Sequence, residues 1–274
     1  MPELPELEVV KEVLQRCVVG TQIARVEIVP PGGAIVIRDL TRGDFSAALT
    51  GATISVVARR GKFLVLSFPS LYLAINPKLT GRLQLAGRSD KRMAKTHLVL
   101  ALSSGDELRY VDQKTMGQLY LTRDLNAAPD FAGLGPEPFD ISRDEFRARL
   151  QKYRGEIKGI LTRGDFIAGI GNAYADEILW HARLHPYRKR TQLTPEEIAR
   201  LYEAMQRALR DAVEQVRAEM GEQIHLKPRD FLAVHMKTGE PCPRCGAPIS
   251  LVGANQRITN FCRTCQPGGL IKGM

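Results

Sequence analysis

The 274-residue chain has no apolar run approaching the roughly 20 residues needed to cross a bilayer. It also lacks low-complexity tracts and internal repeats, and its 44% hydrophobic and 25% charged residues are typical of globular proteins. These absences exclude membrane-spanning, fibrous and disordered classes of protein. A chain of this length predicts two compact domains and a small appended module.

The N-terminal segment has neither the basic stretch nor the apolar stretch of a secretory signal. We therefore expect a cytosolic protein with no membrane partner. Five histidines show no spacing typical of metal ligands, so a histidine-based metal site is not predicted.

Acidic residues are the scarcer charge, with 30 Asp and Glu against 39 Lys and Arg, which gives a formal net charge of +9. A basic protein favours a polyanionic partner, because contacts with phosphates release counterions. From Lys227 onward, seven basic residues face only two acidic ones. The positive charge is therefore concentrated near the C-terminus.

Hydrophobic spacing divides the chain into a β-rich first part and a helical second part. Apolar residues return at helical spacing over 3–16, which predicts a helix. Short apolar segments between turn residues then predict strands at 53–58, 63–68, 97–102 and 118–121. This pattern favours an antiparallel sandwich or barrel over alternating βαβ units.

A stretch rich in Ala, Pro and Gly at 126–140 predicts an interdomain linker. Beyond it, capping boxes beginning at Ser142 and Thr194 predict two helix starts. The second helix carries an apolar stripe to about Met220, which we interpret as a core-facing surface.

Four of the five cysteines form two Cys-x-x-Cys pairs separated by sixteen residues: Cys242, Cys245, Cys262 and Cys265. This spacing is typical of two thiolate knuckles that hold one Zn²⁺ tetrahedrally. Four thiolates leave no open position for substrate, so the zinc is expected to be structural. Unrelated thiols or two disulfides are the alternative, which fits a cytosolic chain poorly.

The segment 247–261 between the two cysteine pairs alternates in the manner of a β-hairpin, with Arg257 near its tip. An arginine on a rigid hairpin is suited to hold a phosphate, although the spacing alone is equally compatible with a solvated side chain.

The N-terminus predicts unusual chemistry, because removal of Met1 would leave Pro2 with a free secondary amine. A terminal amine titrates near pH 8, so part of it is unprotonated at neutral pH and can attack a sugar aldehyde carbon to form an iminium. Glu3 could move protons at the same centre. Without further context, Pro followed by Glu is far more often simply the start of a helix.

Four motifs together resemble the formamidopyrimidine-DNA glycosylase and endonuclease VIII family of base-excision repair enzymes. They are Pro-Glu-Leu-Pro-Glu-Leu-Glu from Pro2, Arg-Arg-Gly-Lys-Phe at 59–63, Ala-Gly-Ile-Gly-Asn-Ala-Tyr-Ala-Asp-Glu-Ile-Leu at 168–179, and Asn-Gln-Arg-Ile-Thr-Asn-Phe-Cys-Arg-Thr-Cys-Gln from Asn255. They occur in the family's order and reach both ends of the chain.

The resemblance implies an α+β fold. It consists of an N-terminal β-sandwich domain with an N-terminal helix at 1–125, a linker at 126–140, a helical domain with a helix-two-turn-helix at 141–235, and a four-cysteine zinc finger at 236–270. It also implies a monomeric enzyme of the bacterial cytosol or nucleoid that acts on double-stranded DNA with a damaged base or an abasic site.

Residue roles follow from the same resemblance. Pro2 attacks the deoxyribose C1′ and Glu3 handles protons at the sugar, while Lys62, Asn172 and Arg257 bind phosphates of the kinked backbone. Lys62 and Arg257 thereby join the catalytic set. Taken alone, Lys62 would be an ordinary turn lysine.

Three departures from the family pattern affect the expected function. Leu79 replaces the methionine that fills the space left by a flipped base, and Lys114 and Met116 stand in the usual Arg-x-Phe-Gly segment. Leu79 and Met116 can still form an apolar wedge, but Lys114 lacks the bidentate fork of arginine, which weakens selection of the opposite base. The third departure, Leu-Thr-Arg-Gly at 161–164, leaves the boundary of a helix open.

The segment 229–240 runs almost directly into Cys242, without the long loop that covers a flipped 8-oxoguanine in the formamidopyrimidine branch. We therefore predict a bifunctional glycosylase and abasic-site lyase with weak activity toward 8-oxoguanine. The alternative is a non-catalytic protein of the same fold that binds damaged or branched DNA.

Overall fold

The computed structural model describes residues 1–254 and 257–268, with only the backbone of Ala254 and Arg257. The chain divides into two compact units. The first contains Met1–Gly133 and Gln215–Pro228, and the second contains Leu134–Glu214 and the chain from Arg229 onward. No helix in the described ranges has the length and apolar character that a membrane span requires.

The first unit combines one long helix with two sheets. In chain order its elements are α1 (Leu4–Cys17), β1 (Ile23–Ile28), α2 (Gly32–Val36), β2 (Ile37–Asp39), α3 (Phe45–Leu49), β3 (Val56–Arg60), β4 (Phe63–Ser67), β5 (Tyr72–Asn76), β6 (Gly81–Gly87), β7 (Thr96–Leu102), β8 (Asp106–Asp112) and β9 (Gln118–Thr122), followed by a short 3₁₀ turn at Leu125–Ala127. The predicted helix at 3–16 is confirmed as α1.

Helix α1 begins where the sequence supplies the usual start signals. Pro5 lies in the first turn, and the Glu6 carboxylate accepts a hydrogen bond from the N–H of the capping residue Glu3 at 2.8 Å. Its apolar face, including Leu7 and Leu14, is buried. The N-terminal residues are therefore fixed to the body of the first unit.

The two sheets form the β-sandwich that the sequence predicts. One has the strand order β1-β7-β8-β6 and the other β2-β9-β5-β4-β3. Neighbouring strands are antiparallel except β2 and β9, which are parallel. Strands β3 and β4 are paired neighbours joined by the turn that carries Lys62. The β5–β6 and β8–β9 turns, which carry Leu79 and Met116, cross from one sheet to the other.

The predicted strands at 63–68, 97–102 and 118–121 correspond to β4, β7 and β9, but the prediction at 53–58 was shifted. Strand β3 continues through Arg60, which pairs with Phe63 across a two-residue turn. Gly61 adopts a positive φ of 56° in that turn. Pairing with β4 keeps Arg59 and Arg60 extended, although their polarity suggests the end of a strand.

The second unit is helical with a C-terminal hairpin. Its elements are α4 (Arg143–Gln151), α5 (Ile157–Leu161), α6 (Asn172–His181), a 3₁₀ turn at Arg190–Gln192, α7 (Pro195–Met220), β10 (Ser250–Ala254) and β11 (Arg257–Phe261). The C-terminal residues of α7 belong to the first unit. Helix α5 ends at Leu161, which resolves the boundary left open by the Leu-Thr-Arg-Gly segment.

The capping box predicted at Ser142 is present in part, and the one predicted at Thr194 is complete. The Ser142 hydroxyl accepts from the N–H of Glu145 at 3.2 Å. At α7, the Thr194 hydroxyl accepts from the N–H of Glu197 at 3.3 Å, and the Glu197 carboxylate accepts from the N–H of Thr194 at 2.9 Å. Each bond satisfies a backbone donor that lacks a partner within the helix.

The core of the second unit is apolar and aromatic. Phe146 contacts Phe166 and Tyr202 edge to face, with ring centroids 5.4 and 5.6 Å apart. Leu201 and Met205, from the predicted stripe on α7, are fully buried in this cluster. The interpretation of that stripe as core is confirmed.

Candidate functional site

Pro2 is buried beside the start of α1 and lines a largely apolar cavity in the first unit. The cavity is also lined by Pro77 and Gly81, which flank the turn that carries Leu79, and by the basic residues Arg82 and Lys227. An apolar, partly desolvated setting disfavours a protonated amine, which keeps an amine nucleophilic at neutral pH.

Glu3 is only 2% exposed and stands next to Pro2, where it caps α1. The start of α1 fixes its backbone, and its side chain takes part in the capping box with Glu6. The predicted nucleophile and the predicted proton carrier are thus adjacent in the chain at a buried helix start.

Lys62 occupies the turn between β3 and β4, as the sequence predicts. The hairpin is fastened to α1 by Arg59, whose Nε donates to the Glu8 carboxylate at 2.5 Å and whose guanidinium also donates to the Gly61 carbonyl at 3.1 Å. Burial opposes ionisation of Glu8, but hydrogen bonds from Lys11 and Arg59 outweigh it and lower the pKa of this carboxyl group. This ion pair was not predicted from the sequence, because its partners are distant in the chain.

Leu79 and Met116 stand on two exposed turns of the first unit, with 44% and 48% of their surface accessible. Each follows a non-glycine residue with positive φ, Lys78 at 47° and Thr115 at 53°. Lys114, also exposed, shares the second turn. Exposed apolar side chains on strained turns match the geometry expected of a wedge.

Asn172 is the first residue of α6 in the second unit, and its side-chain amide donates to the Ile258 carbonyl of β11 at 2.7 Å. This contact connects the predicted phosphate-binding turn with strand β11, which begins at Arg257. The side chain of Arg257 and the hairpin tip at 255–256 lie outside the described residues, so the phosphate contact of Arg257 stays a prediction.

A buried charge cluster holds the same hairpin. Lys158 forms an ion pair with Asp176 at 2.6 Å and donates to the Ile258 carbonyl at 3.0 Å. The second carboxylate oxygen of Asp176 lies 2.9 Å from His235 Nδ1 and accepts from the N–H of Asn260 at 3.2 Å. This cluster was not predicted from the sequence; its one local signal is Lys158 within the otherwise apolar helix α5.

Glu177 fixes the short connection to the zinc finger. Its carboxylate accepts hydrogen bonds from the backbone N–H groups of Ala233, Val234 and His235 at 2.8, 3.0 and 2.9 Å. Segment 229–240 is therefore anchored on α6, which leaves little chain for a covering loop.

The four paired cysteines form one cluster, with all four sulfur atoms within 4.8 Å of one another. Cys242 and Cys265 are 3.9 Å apart and Cys245 and Cys262 are 3.5 Å apart between sulfurs. A tetrahedral zinc with bonds of about 2.3 Å requires sulfur separations of about 3.8 Å, so the donors fit this ion. The Trp180 indole N–H donates to the Cys242 sulfur at 3.4 Å, which suits a charged thiolate.

Three family models match the chain. The formamidopyrimidine-DNA glycosylase N-terminal domain matches residues 1–119, the H2TH domain of the same enzyme matches 134–222, and the zinc finger found in FPG and IleRS matches 239–268. A formamidopyrimidine-DNA glycosylase of Symbiobacterium thermophilum is 38% identical over 97% of this chain and 90% of its own length. The chain belongs to the formamidopyrimidine-DNA glycosylase family.

Other relatives agree with this assignment. The formamidopyrimidine-DNA glycosylase of Pelotomaculum thermopropionicum is 36% identical over 97% of this chain and 99% of its own length. A solved structure of Lactococcus lactis Fpg with DNA containing an abasic site superposes with a TM-score of 0.85 at 31% identity, covering 97% of this chain and 100% of that one. The family resemblance and the α+β fold with a zinc finger are confirmed.

Proposed function

We propose that this chain is a DNA glycosylase of base-excision repair that also cleaves abasic sites, using Pro2 as its nucleophile. The observation that carries the proposal is the burial of Pro2 in an apolar cavity, at a helix start where the next residue, Glu3, is also buried. Family membership and DNA-bound structural neighbours support the same activity.

The proposed reaction begins when the unprotonated nitrogen of Pro2 attacks C1′ of an extruded nucleotide. The glycosidic bond breaks, and the damaged base leaves with its electron pair and takes up the proton that the Pro2 nitrogen loses on bonding to C1′. Glu3 supplies a proton to the sugar ring oxygen as the ring opens, which leaves an iminium between Pro2 and C1′. The Glu3 carboxylate then accepts a proton from C2′ and the 3′ phosphate leaves by β-elimination. Loss of a proton from C4′ expels the 5′ phosphate by δ-elimination, and water finally hydrolyses the iminium.

The remaining predicted residues have positioning and binding roles in this proposal. Lys62, Asn172 and Arg257 bind backbone phosphates. Leu79 and Met116 fill the space left by the extruded nucleotide, and Lys114 donates to the base that remains on the opposite strand. The four cysteines hold one structural Zn²⁺. We retain the domain limits 1–125, 126–140, 141–235 and 236–270, and a monomer acting in the cytosol or nucleoid.

Borohydride trapping on DNA with one abasic site tests the proposal. Borohydride reduces an iminium to a stable amine, so we expect a covalent protein–DNA adduct whose attachment maps to Pro2. Protein that retains Met1 is the matched control, since its Pro2 nitrogen is an amide and cannot form an iminium. A protein that binds damaged DNA tightly without any adduct would instead support the non-catalytic alternative.

A further inference from the structure

Strand β8 ends in two buried polar residues that lie between the turns of the predicted wedge. Tyr110 is 1% exposed and Asp112 has no exposed surface. The first turn links β5 to β6 and carries Leu79, and the second links β8 to β9 and carries Met116. The function described so far uses neither Tyr110 nor Asp112.

The Asp112 carboxylate accepts hydrogen bonds from both turns. One oxygen accepts from the Thr80 hydroxyl of the first turn and from the backbone N–H of Lys114 in the second, at 3.2 Å for the latter. The other oxygen accepts from the N–H of Gly117 at 2.7 Å and from the Tyr110 hydroxyl at 3.4 Å. Thr80 also accepts directly from the N–H of Lys114 at 3.0 Å, so the turns are joined twice.

Gly81 and Gly117, which come shortly after Leu79 and Met116, show how closely both turns approach Tyr110. A Cβ atom at Gly81 would lie 2.1 Å from the Tyr110 hydroxyl oxygen, and one at Gly117 would lie 1.6 Å from it. No side chain fits at either position. Burial and the charge of Asp112 raise the pKa of Tyr110 well above its usual value, so the hydroxyl stays protonated and continues to donate.

We propose that Asp112, through Thr80 and Tyr110, is a positioning residue that joins the turns of Leu79 and Met116 into one rigid wedge. The inference rests on the proposed function, since it assumes that these side chains enter a duplex. Separating two stacked bases requires both side chains at once, and an exposed turn that moved independently would lose conformational entropy on entry. The buried carboxylate removes that freedom before DNA binds.

Thr80→Val tests whether these hydrogen bonds couple the two turns, because valine keeps the shape of threonine but removes the hydroxyl that donates to Asp112. Single-turnover cleavage would be measured on a ring-opened purine opposite dC in a full duplex and on the same lesion in an unpaired bubble. A hydrogen bond to a charged group is worth roughly tenfold or more in a rate. We expect about tenfold slower cleavage in the duplex and a change below about twofold in the bubble, where no stack has to be opened.

A double-mutant cycle with Leu79→Ala and Met116→Ala provides the readout specific to coupling. In the parent protein, the effects of Leu79→Ala and Met116→Ala on the rate of duplex cleavage should not multiply when the substitutions are combined. On the Thr80→Val background the two effects should multiply. Thr21→Val is the matched control, since the Thr21 hydroxyl also bonds within the first unit, to the Val18 carbonyl at 2.7 Å, but touches neither turn. It should leave both rates unchanged.

Asp112→Asn is a second variant. The side-chain NH₂ group of asparagine would face one of the backbone N–H groups that donate to the carboxylate, so that hydrogen bond is lost. This variant should slow duplex cleavage further. If this variant fails to fold, Thr80→Val decides alone. The proposed coupling would be overturned if Thr80→Val slowed cleavage equally on duplex and bubble. It would also be overturned if the effects of Leu79→Ala and Met116→Ala stayed non-additive on the Thr80→Val background. A parent protein that gives no cleavage would contradict the proposed function instead, and fluorescence of a base analogue beside the lesion would still report on wedge insertion.

Discussion

At the scale of single residues, the Arg-Arg-Gly-Lys motif divides its basic side chains between structural support and the proposed contact with DNA. Lys62 follows Gly61 in the tight turn that ends the pairing of Arg60 with Phe63. Arg59 is not available for such a contact, since its guanidinium is held by Glu8 and its side chain is 6% exposed. Of the three basic residues in the Arg-Arg-Gly-Lys motif, the first is structural.

Lys62→Ala should weaken binding to duplexes of every sequence and lower the slope of log affinity against log salt by about one, as expected for one lost phosphate contact. Lys91→Ala, on the exposed loop between β6 and β7, is the control and should leave the slope unchanged. The measurement is a salt titration on an abasic-site analogue. A loss confined to certain sequences would indicate base recognition by Lys62.

At the scale of elements, ion pairs between distant segments hold the site-bearing turns. Glu8 on α1 holds β3 through Arg59, and Glu12 on α1 holds the end of α7 through two bonds of 2.9 Å from Arg217. Helix α1 therefore sets the position of both the N-terminal proline and the lysine hairpin.

Glu8→Gln should destabilise the protein at pH 7 by about 1 to 3 kcal/mol, the usual value of a hydrogen bond to a charged group. The pKa of Glu8 is lowered from 4.5 in the folded protein, so its stabilisation is present above that pH and is lost as the pH falls through the folded value. Urea unfolding at pH 7 and at pH 3.5 should show the difference from the parent shrinking in acid. The exposed Glu219→Gln is the control, and a difference independent of pH would contradict the assignment.

At the scale of the whole molecule, the zinc-finger module combines a four-cysteine cluster with a small core. The cluster around the cysteines contains few large apolar side chains, among them Trp180, Val234 and Ile249. We expect a module with so small a core to obtain much of its folding free energy from a bound Zn²⁺.

Removal of zinc by a chelator should therefore unfold the hairpin and abolish tight binding to damaged duplex. The experiment compares affinity for an abasic-site analogue before chelation, after verified metal loss and after zinc is restored. Recovery on restoration separates this effect from irreversible damage. Affinity that persists in the metal-free protein would show that the hairpin does not need zinc.

Lesion preference also belongs to the whole molecule, because it depends on what covers the extruded base. Segment 229–240 is short, and Glu177 anchors residues 233–235 on α6. A pocket without a covering loop lacks hydrogen bonds that distinguish an oxidised purine from guanine. We expect weak excision of 8-oxoguanine relative to ring-opened or saturated bases, which stack poorly.

Single-turnover cleavage of matched duplexes containing each lesion measures this preference, and cleavage of an abasic site in the same duplex normalises the rates. A clear preference for 8-oxoguanine would refute the argument from the short segment.

Spacing and local pattern are enough to predict several features of this protein. The cysteine pairs, the capping boxes and the apolar stripe of α7 follow from residues close in the chain, and the hairpin that carries Lys62 follows from a family motif. Helix α1 and strands β4, β7 and β9 follow from the hydrophobic pattern, since periods of 3.6 and 2 residues are distinguishable over a short stretch.

Which buried polar groups meet depends on how the chain folds. Thr80 and Asp112, Lys158 and Asp176, and Glu177 with residues 233–235 are brought together by strand pairing and helix packing, and no local pattern encodes the partner of a buried charge. The same reason explains the extension of β3 to Arg60, where pairing with β4 overrides the polarity of two arginines. A buried polar group must find a partner or its burial is unfavourable, but the fold decides which partner lies within reach.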